Sequence, residues 1–143
     1  MTHHSNERGA ALLEVALTLP LLLLVAAGIF EFGRAYQTQQ VLTNAAREGA
    51  RVAVLPNQPT GAAQARVTNY LTAGQLPNAG SATITVTATQ IAIGGTTTSG
   101  SRVTVNYPFS FMVLQPVARL VVSNSSLGSG LTMSASAEMR NEQ

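Results

Sequence analysis

The chain has 143 residues, a net charge of +2 and no cysteine, which leaves room for one membrane helix and one small domain, not for two independent domains of ordinary size. Every basic residue is arginine and every acid is glutamate. The arginines are scattered from Arg8 to Arg140, so the clustered basic face that nucleic-acid binding requires is missing, and no disulfide can staple the fold.

Residues 1–9 form a short polar leader, and its adjacent His3 and His4 read as solvated side chains rather than metal ligands. From Ala10 to Phe30 the chain then runs for roughly 21 residues with Glu14 as its one charge, long enough as a helix to cross a hydrocarbon core of about 30 Å. An ionised glutamate in hydrocarbon costs roughly 2.5 kcal/mol or more and asks for a partner or a water path. If the chain were cut between Gly9 and Ala10, the new amino group would lie about 6 Å along the helix from Glu14, able to pair with Glu14 of its own chain or of a neighbour. Pro20, in mid-span, removes one backbone donor and is read either as a kink or local unwinding of the helix or as a proline that the span tolerates.

Two other readings of the stretch stand beside this one. It is a plain anchor, with Glu14 an incidental acid, or a secretory signal cleaved after Val25-Ala26-Ala27. Against the signal stand Glu14, Pro20 and a helical pattern that continues past Gly28. Charge does not orient the span, because Arg8 precedes it while Arg34, Arg47 and Arg51 follow it.

Helical character persists toward Leu55, where Pro56 disfavours helical geometry in the residue before it. Glu31 with Arg34 and Glu48 with Arg51 are i,i+3 pairs expected on an exposed face. Ala45, Gly49 and Ala53, joined by Ala46 and Ala50, make a row of small residues that permits close approach by another backbone, with the chain's own globular part expected ahead of another subunit. Continuous from Ala10, such a helix would be roughly 70 Å long. Residues 33–55 are therefore expected as a stalk beyond a span over 10–32.

After the linker Asn57-Gln58-Pro59, Thr60 is placed to cap a second helix running to Ala73, with Ala63, Val67, Tyr70 and Leu71 on one face and Gly74 ending it. Beyond Gly80 the period changes to two. Ser81 to Gln90 alternates threonine with Ala82, Ile84, Val86 and Ala88; Arg102 to Phe109 alternates through Val103, Val105, Tyr107 and Phe109; Leu131 to Met139 makes a third strand. Gly94 to Gly100 reads as a flexible hairpin loop. The connection from Ser110 to Gly130 is too apolar for an ordinary loop and contains a short helix with Pro116 in its first turn. It either packs on the sheet edge or offers an apolar contact to another subunit or the membrane surface. The expected class is α+β: a long membrane-spanning helix extending into a stalk, a second short helix, and a head over residues 56–143 with a three-stranded antiparallel sheet.

At Arg8-Gly9-Ala10-Ala11, Glu14, Leu19-Pro20 and Gly28 to Arg34 the chain resembles the TadE-like family of the tight-adherence (Tad/Flp) pilus system, whose type IV pilin signal has glycine before the cut and glutamate at the fifth mature position. Tyr107-Pro108-Phe109 and Ala137-Glu138-Met139-Arg140 are similar to the family's later segments. Val15 stands where the major Flp pilins have tyrosine, which favours a minor pilin or pseudopilin. The resemblance implies a pilin-like fold and cleavage by a prepilin peptidase between Gly9 and Ala10. It also implies subunit registration through Glu14 and a single pass through the bacterial inner membrane, in contact with lipid, with the amino terminus cytoplasmic and the head extracytoplasmic or incorporated in the pilus. Its implied partners are the major Flp pilin, the other minor pseudopilins, and the inner-membrane assembly platform with its ATPase. An unprocessed membrane-anchored envelope binding protein is the alternative.

Beyond the leader the chain contains no histidine, aspartate, cysteine or lysine. Ser-His-Asp triads, thiol nucleophiles, lysine Schiff bases and the usual zinc sites are thereby excluded, and Gly94-Gly95 lacks the lysine of a phosphate-binding loop. Neither an enzyme activity nor a cofactor is expected.

Overall fold

The computed structural model describes residues 4–121 and 130–141. In chain order its elements are α1 (His4–Ala53), α2 (Ala62–Ala73), a 3-10 turn (Ala79–Ser81), β1 (Thr83–Ile93), β2 (Thr96–Phe109), α3 (Leu114–Val121) and β3 (Leu131–Arg140). The strands form one antiparallel sheet in the order β1-β2-β3, so the expected α+β class holds. Two compact units divide the chain. One contains α1 up to Arg34 with the segment from Phe111 through α3; the other contains Ala35–Ser110 with β3. Part of the apolar connection, residues 122–129, lies outside the described residues.

The second unit has a core because helix period and strand period each put one apolar face inward. From α1 come Leu42, Ala45, Ala46, Ala50 and from its exit Val54; from α2 come Ala63, Val67 and Leu71; β2 adds Val103, Val105, Tyr107 and Phe109. Full burial of a Leu or Val contributes about 1.5–3 kcal/mol, so Leu42, Leu71, Val67, Val103 and Val105, all at 0% exposure, carry most of this unit. The register lines the apolar positions into rows across the sheet, Ile84 beside Val105 beside Ala135 and Val86 beside Val103 beside Ala137. The opposite face is polar, and there Arg102 and Glu138, directly opposed, form an ion pair.

The row of small residues on α1 packs within the chain's own fold, as expected. A Cβ placed on Gly49 would come 2.4 Å from Val67 Cγ2, and Val67, β-branched in a helix, has almost no alternative rotamer. Glycine is what lets α1 and α2 approach this closely. The expected Glu48–Arg51 pair is replaced: Glu48 Oε2 binds Arg66 Nη2 of α2 at 3.1 Å, a second link between the same two helices.

One cap and one loop differ from expectation. Thr60 does not cap α2; Gly61 occupies that position in the left-handed region (φ 88°) without a side-chain cap, and a Pro59–Ala62 turn leads the chain in. At the other end Gly74 is the C-cap at φ −74°, and the left-handed residue is Gln75 (φ 56°). Leu76 N–H reaches Leu71 O and Gln75 N–H reaches Thr72 O, the paired bonds of a Schellman motif. Glycine is needed at 74 for another reason, since its Cβ would lie 2.6 Å from Val41 Cγ1. The hairpin loop contracts to Gly94-Gly95, both at positive φ, as a two-residue type I′ turn demands. The β-branched Thr96, Thr97 and Thr98 extend the ladder to Ile93 opposite Thr96.

Gln75→Gly should therefore stabilise the protein by about 0.5–1 kcal/mol by relieving the left-handed side chain, whereas Gly74→Ala should destabilise it by about 1–3 kcal/mol through overpacking on Val41. Urea unfolding of the full chain in detergent, followed by circular dichroism, checks both signs.

Candidate functional site

Leucine, alanine and valine fill the first half of α1 and have good to moderate helix propensity, but none of the described residues covers them. The most apolar stretch within Gly9–Ala53 has none of its length buried; Leu12 and Leu17 are each 71% exposed, and Leu21, Leu22, Leu23 and Leu24 are more than half exposed. The core helix of a globular domain would be sheathed by its own chain. This one presents an apolar surface to its surroundings, and by length and composition it is able to cross a membrane.

Gly9 and Ala10 are exposed on this helix. A Cβ on Gly9 would meet nothing within 4 Å, so packing does not require glycine there; Gly28 and Gly33 are equally open. Glu14 is exposed among leucines and alanines. No ion pair or hydrogen bond to its carboxylate occurs among the described residues. Its carbonyl accepts the Thr18 hydroxyl at 2.9 Å, a bond that tends to bend a helix, one turn before Pro20. α1 is a single helix through Pro20. Gly9, Ala10, Glu14 and Pro20 thus follow one another along one element and do not converge on a pocket.

Convergence occurs instead at Glu31, where the sequence suggests only an exposed pair with Arg34. That pair exists, Arg34 Nη2 to Glu31 Oε2 at 3.1 Å, but Glu31 is only 1% exposed. Its other oxygen accepts the N–H of Val113, and the N–H of Leu114 is directed at the same carboxylate. Val113 and Leu114 open α3, whose first N–H groups have no partner within the helix and carry the positive end of its dipole. An ionised carboxylate is the strongest acceptor available to them. The chain buries a charge here because three donors surround it. A signal was present in the sequence, an acid enclosed by Phe30 and Phe32 at the edge of the apolar run, but its partner lies 82 residues away, beyond the reach of periodicity.

In the second unit, open depressions of about 330 Å³ near Asn78, Pro108 and Leu131 and of about 350 Å³ near Val52, Pro59 and Val86 have no acidic or basic lining residue. The charged side chains Glu48, Arg66, Arg102 and Glu138 are engaged in pairs.

An apolar helix left uncovered by the described residues, leading into a small α+β unit, defines a protein with, among the described residues, one helix able to span a membrane. Within that class the family model of the TadE-like protein matches residues 9–51, starting at Gly9 and ending in the last turn of α1. This is the family that the residue pattern resembles. No curated protein and no solved structure matches the chain.

Replacing Glu31 by alanine removes the acceptor shared by Arg34 and the start of α3. A buried donor left unsatisfied costs about 1–3 kcal/mol, so amide exchange across residues 111–121 should accelerate about 10- to 100-fold. Hydrogen exchange read by mass spectrometry should show this in Glu31→Ala and to a smaller degree in Glu31→Gln, with β2 unchanged.

Proposed function

We propose that the chain is a minor pilin or pseudopilin of Tad/Flp pilus assembly, held in the bacterial inner membrane by its first helix, and that it works by assembly rather than catalysis. The observation that carries this reading is Glu14: a carboxylate without a partner among the described residues, on a helix whose apolar surface is uncovered. In lipid an unpaired charge is costly. A neighbouring subunit's amino terminus, made by a cut between Gly9 and Ala10, would neutralise it and set the axial register of one helix against the next. The TadE-like match over residues 9–51 supports a place in the Tad system, and its start at Gly9 agrees with a prepilin-type processing point.

In this scheme a prepilin peptidase removes residues 1–9 on the cytoplasmic side. The span is residues 10–32, residues 33–55 continue it as a stalk, and residues 56–143 make the extracytoplasmic head. Pro20 provides a bend along the span. The major Flp pilin, the other minor pseudopilins and the inner-membrane platform are the partners. No step of this work needs a bound cofactor.

Amino-terminal sequencing of the protein from membranes with and without an active prepilin peptidase tests the scheme. A peptidase-dependent start at Ala10 is expected. A start at Met1 or Thr2 would mean an unprocessed anchor, and one at Gly28 a secreted domain. Glu14→Ala should abolish pilus assembly while leaving the protein at its normal level in the membrane, checked by immunoblot beside pilus counts; normal piliation in that variant would remove Glu14 from the mechanism.

A further inference from the structure

The Glu31 anchor fixes α3 at a particular depth. The apolar run ends at Phe30, and Glu31, next in the chain, receives the Val113 N–H, so α3 begins where the hydrophobic length of α1 ends. Its sequence is strongly amphipathic. Leu114 and Val117 lie three residues apart on one side, while Arg119 lies two residues beyond Val117 and so on the other. Among the described residues the apolar side is covered only in part: Leu114 is half-buried, but Val117 is 41% exposed, and Met112, just ahead of the helix, is 63% exposed. α3 carries a basic residue and no acid, and Glu31 is compensated by Arg34, so anionic headgroups would meet no opposing charge.

From this geometry we infer that α3 is an interfacial helix. It lies on the membrane surface beside the outer end of the span, with Met112 and Val117 in the lipid at the level of the headgroup boundary and Arg119 toward water and phosphate. The occupant of its apolar face is lipid. A short amphipathic helix binds a bilayer weakly alone, but here the span supplies the attachment and Glu31 the depth. Insertion of two or three side chains then requires no separate recruitment. Such a helix fixes how far the span can slide or tilt, because moving α1 along its axis would lift Met112 and Val117 out of lipid or drag Arg119 into it. The inference rests on the reading of the apolar run as a membrane span.

The absence of cysteine makes site-specific labelling direct. Val117→Cys, Arg119→Cys and Val25→Cys, each in the full chain, are labelled with an environment-sensitive fluorophore and reconstituted into vesicles of phosphatidylethanolamine and phosphatidylglycerol. Nitroxides attached at shallow and deep lipid positions, and aqueous iodide, serve as quenchers. The expected result is that label 117 is quenched by the shallow nitroxide and shielded from iodide, label 119 is open to iodide, and label 25 responds to the deep nitroxide. Adding Glu31→Ala should shift label 117 toward iodide access. If label 117 is iodide-accessible while label 25 is lipid-quenched, the interfacial helix is wrong and the span stands. If label 117 is shielded from both quenchers in a manner that depends on protein density, the face is covered by protein and the inference is equally overturned. If label 25 is not lipid-quenched, the span reading fails and takes the inference with it.

Discussion

An apolar helical surface that none of the described residues covers is the constraint from which the remainder follows. Leu12 to Leu24 offer far more hydrocarbon to the surroundings than a soluble fold tolerates. By length and composition the helix is able to place that surface in lipid, and there every polar group along it would be conspicuous. Glu14 has no internal answer among the described residues, which is why its role is sought outside the chain. Glu31 has one. The difference between the two glutamates, one exposed and one at 1% exposure with three donors around it, separates a residue without a partner among the described residues from a residue that completes the fold.

The second unit meets a different problem with modest means. Its sheet has one apolar face, and three strands of this length do not hold such a face dry without a cover. α1 and α2 supply the cover, and Gly49 against Val67 and Gly74 against Val41 show how closely the backbones come. Small residues add little hydrophobic free energy themselves; they bring the large ones, Leu42, Leu71, Val103 and Val105, into full burial. Glu48–Arg66 ties the same helices at the surface, and a partly exposed pair of that kind contributes under about 1 kcal/mol, so packing rather than charge carries the unit.

The sequence by itself determined the elements whose cause is local. The apolar run, the change of period after Gly80, the faces of β2 and β3 and the helix end before Pro56 each follow from side chains within one or two turns or strand steps, and the structure shows them close to where the pattern puts them. The small-residue row was legible because Gly and Ala at four-residue spacing leave few alternatives to a close neighbour. Tertiary structure alone decided the rest. The need for glycine at position 74 was set by Val41 crowding it, and the partner of Glu48 was set by α2 lying alongside. The association of Glu31 with Val113 spans 82 residues, and no periodicity encodes it: a carboxylate finds the start of a distant helix only after the chain has brought the two together, because unpartnered N–H groups and a buried charge are each costly apart and compensate when joined.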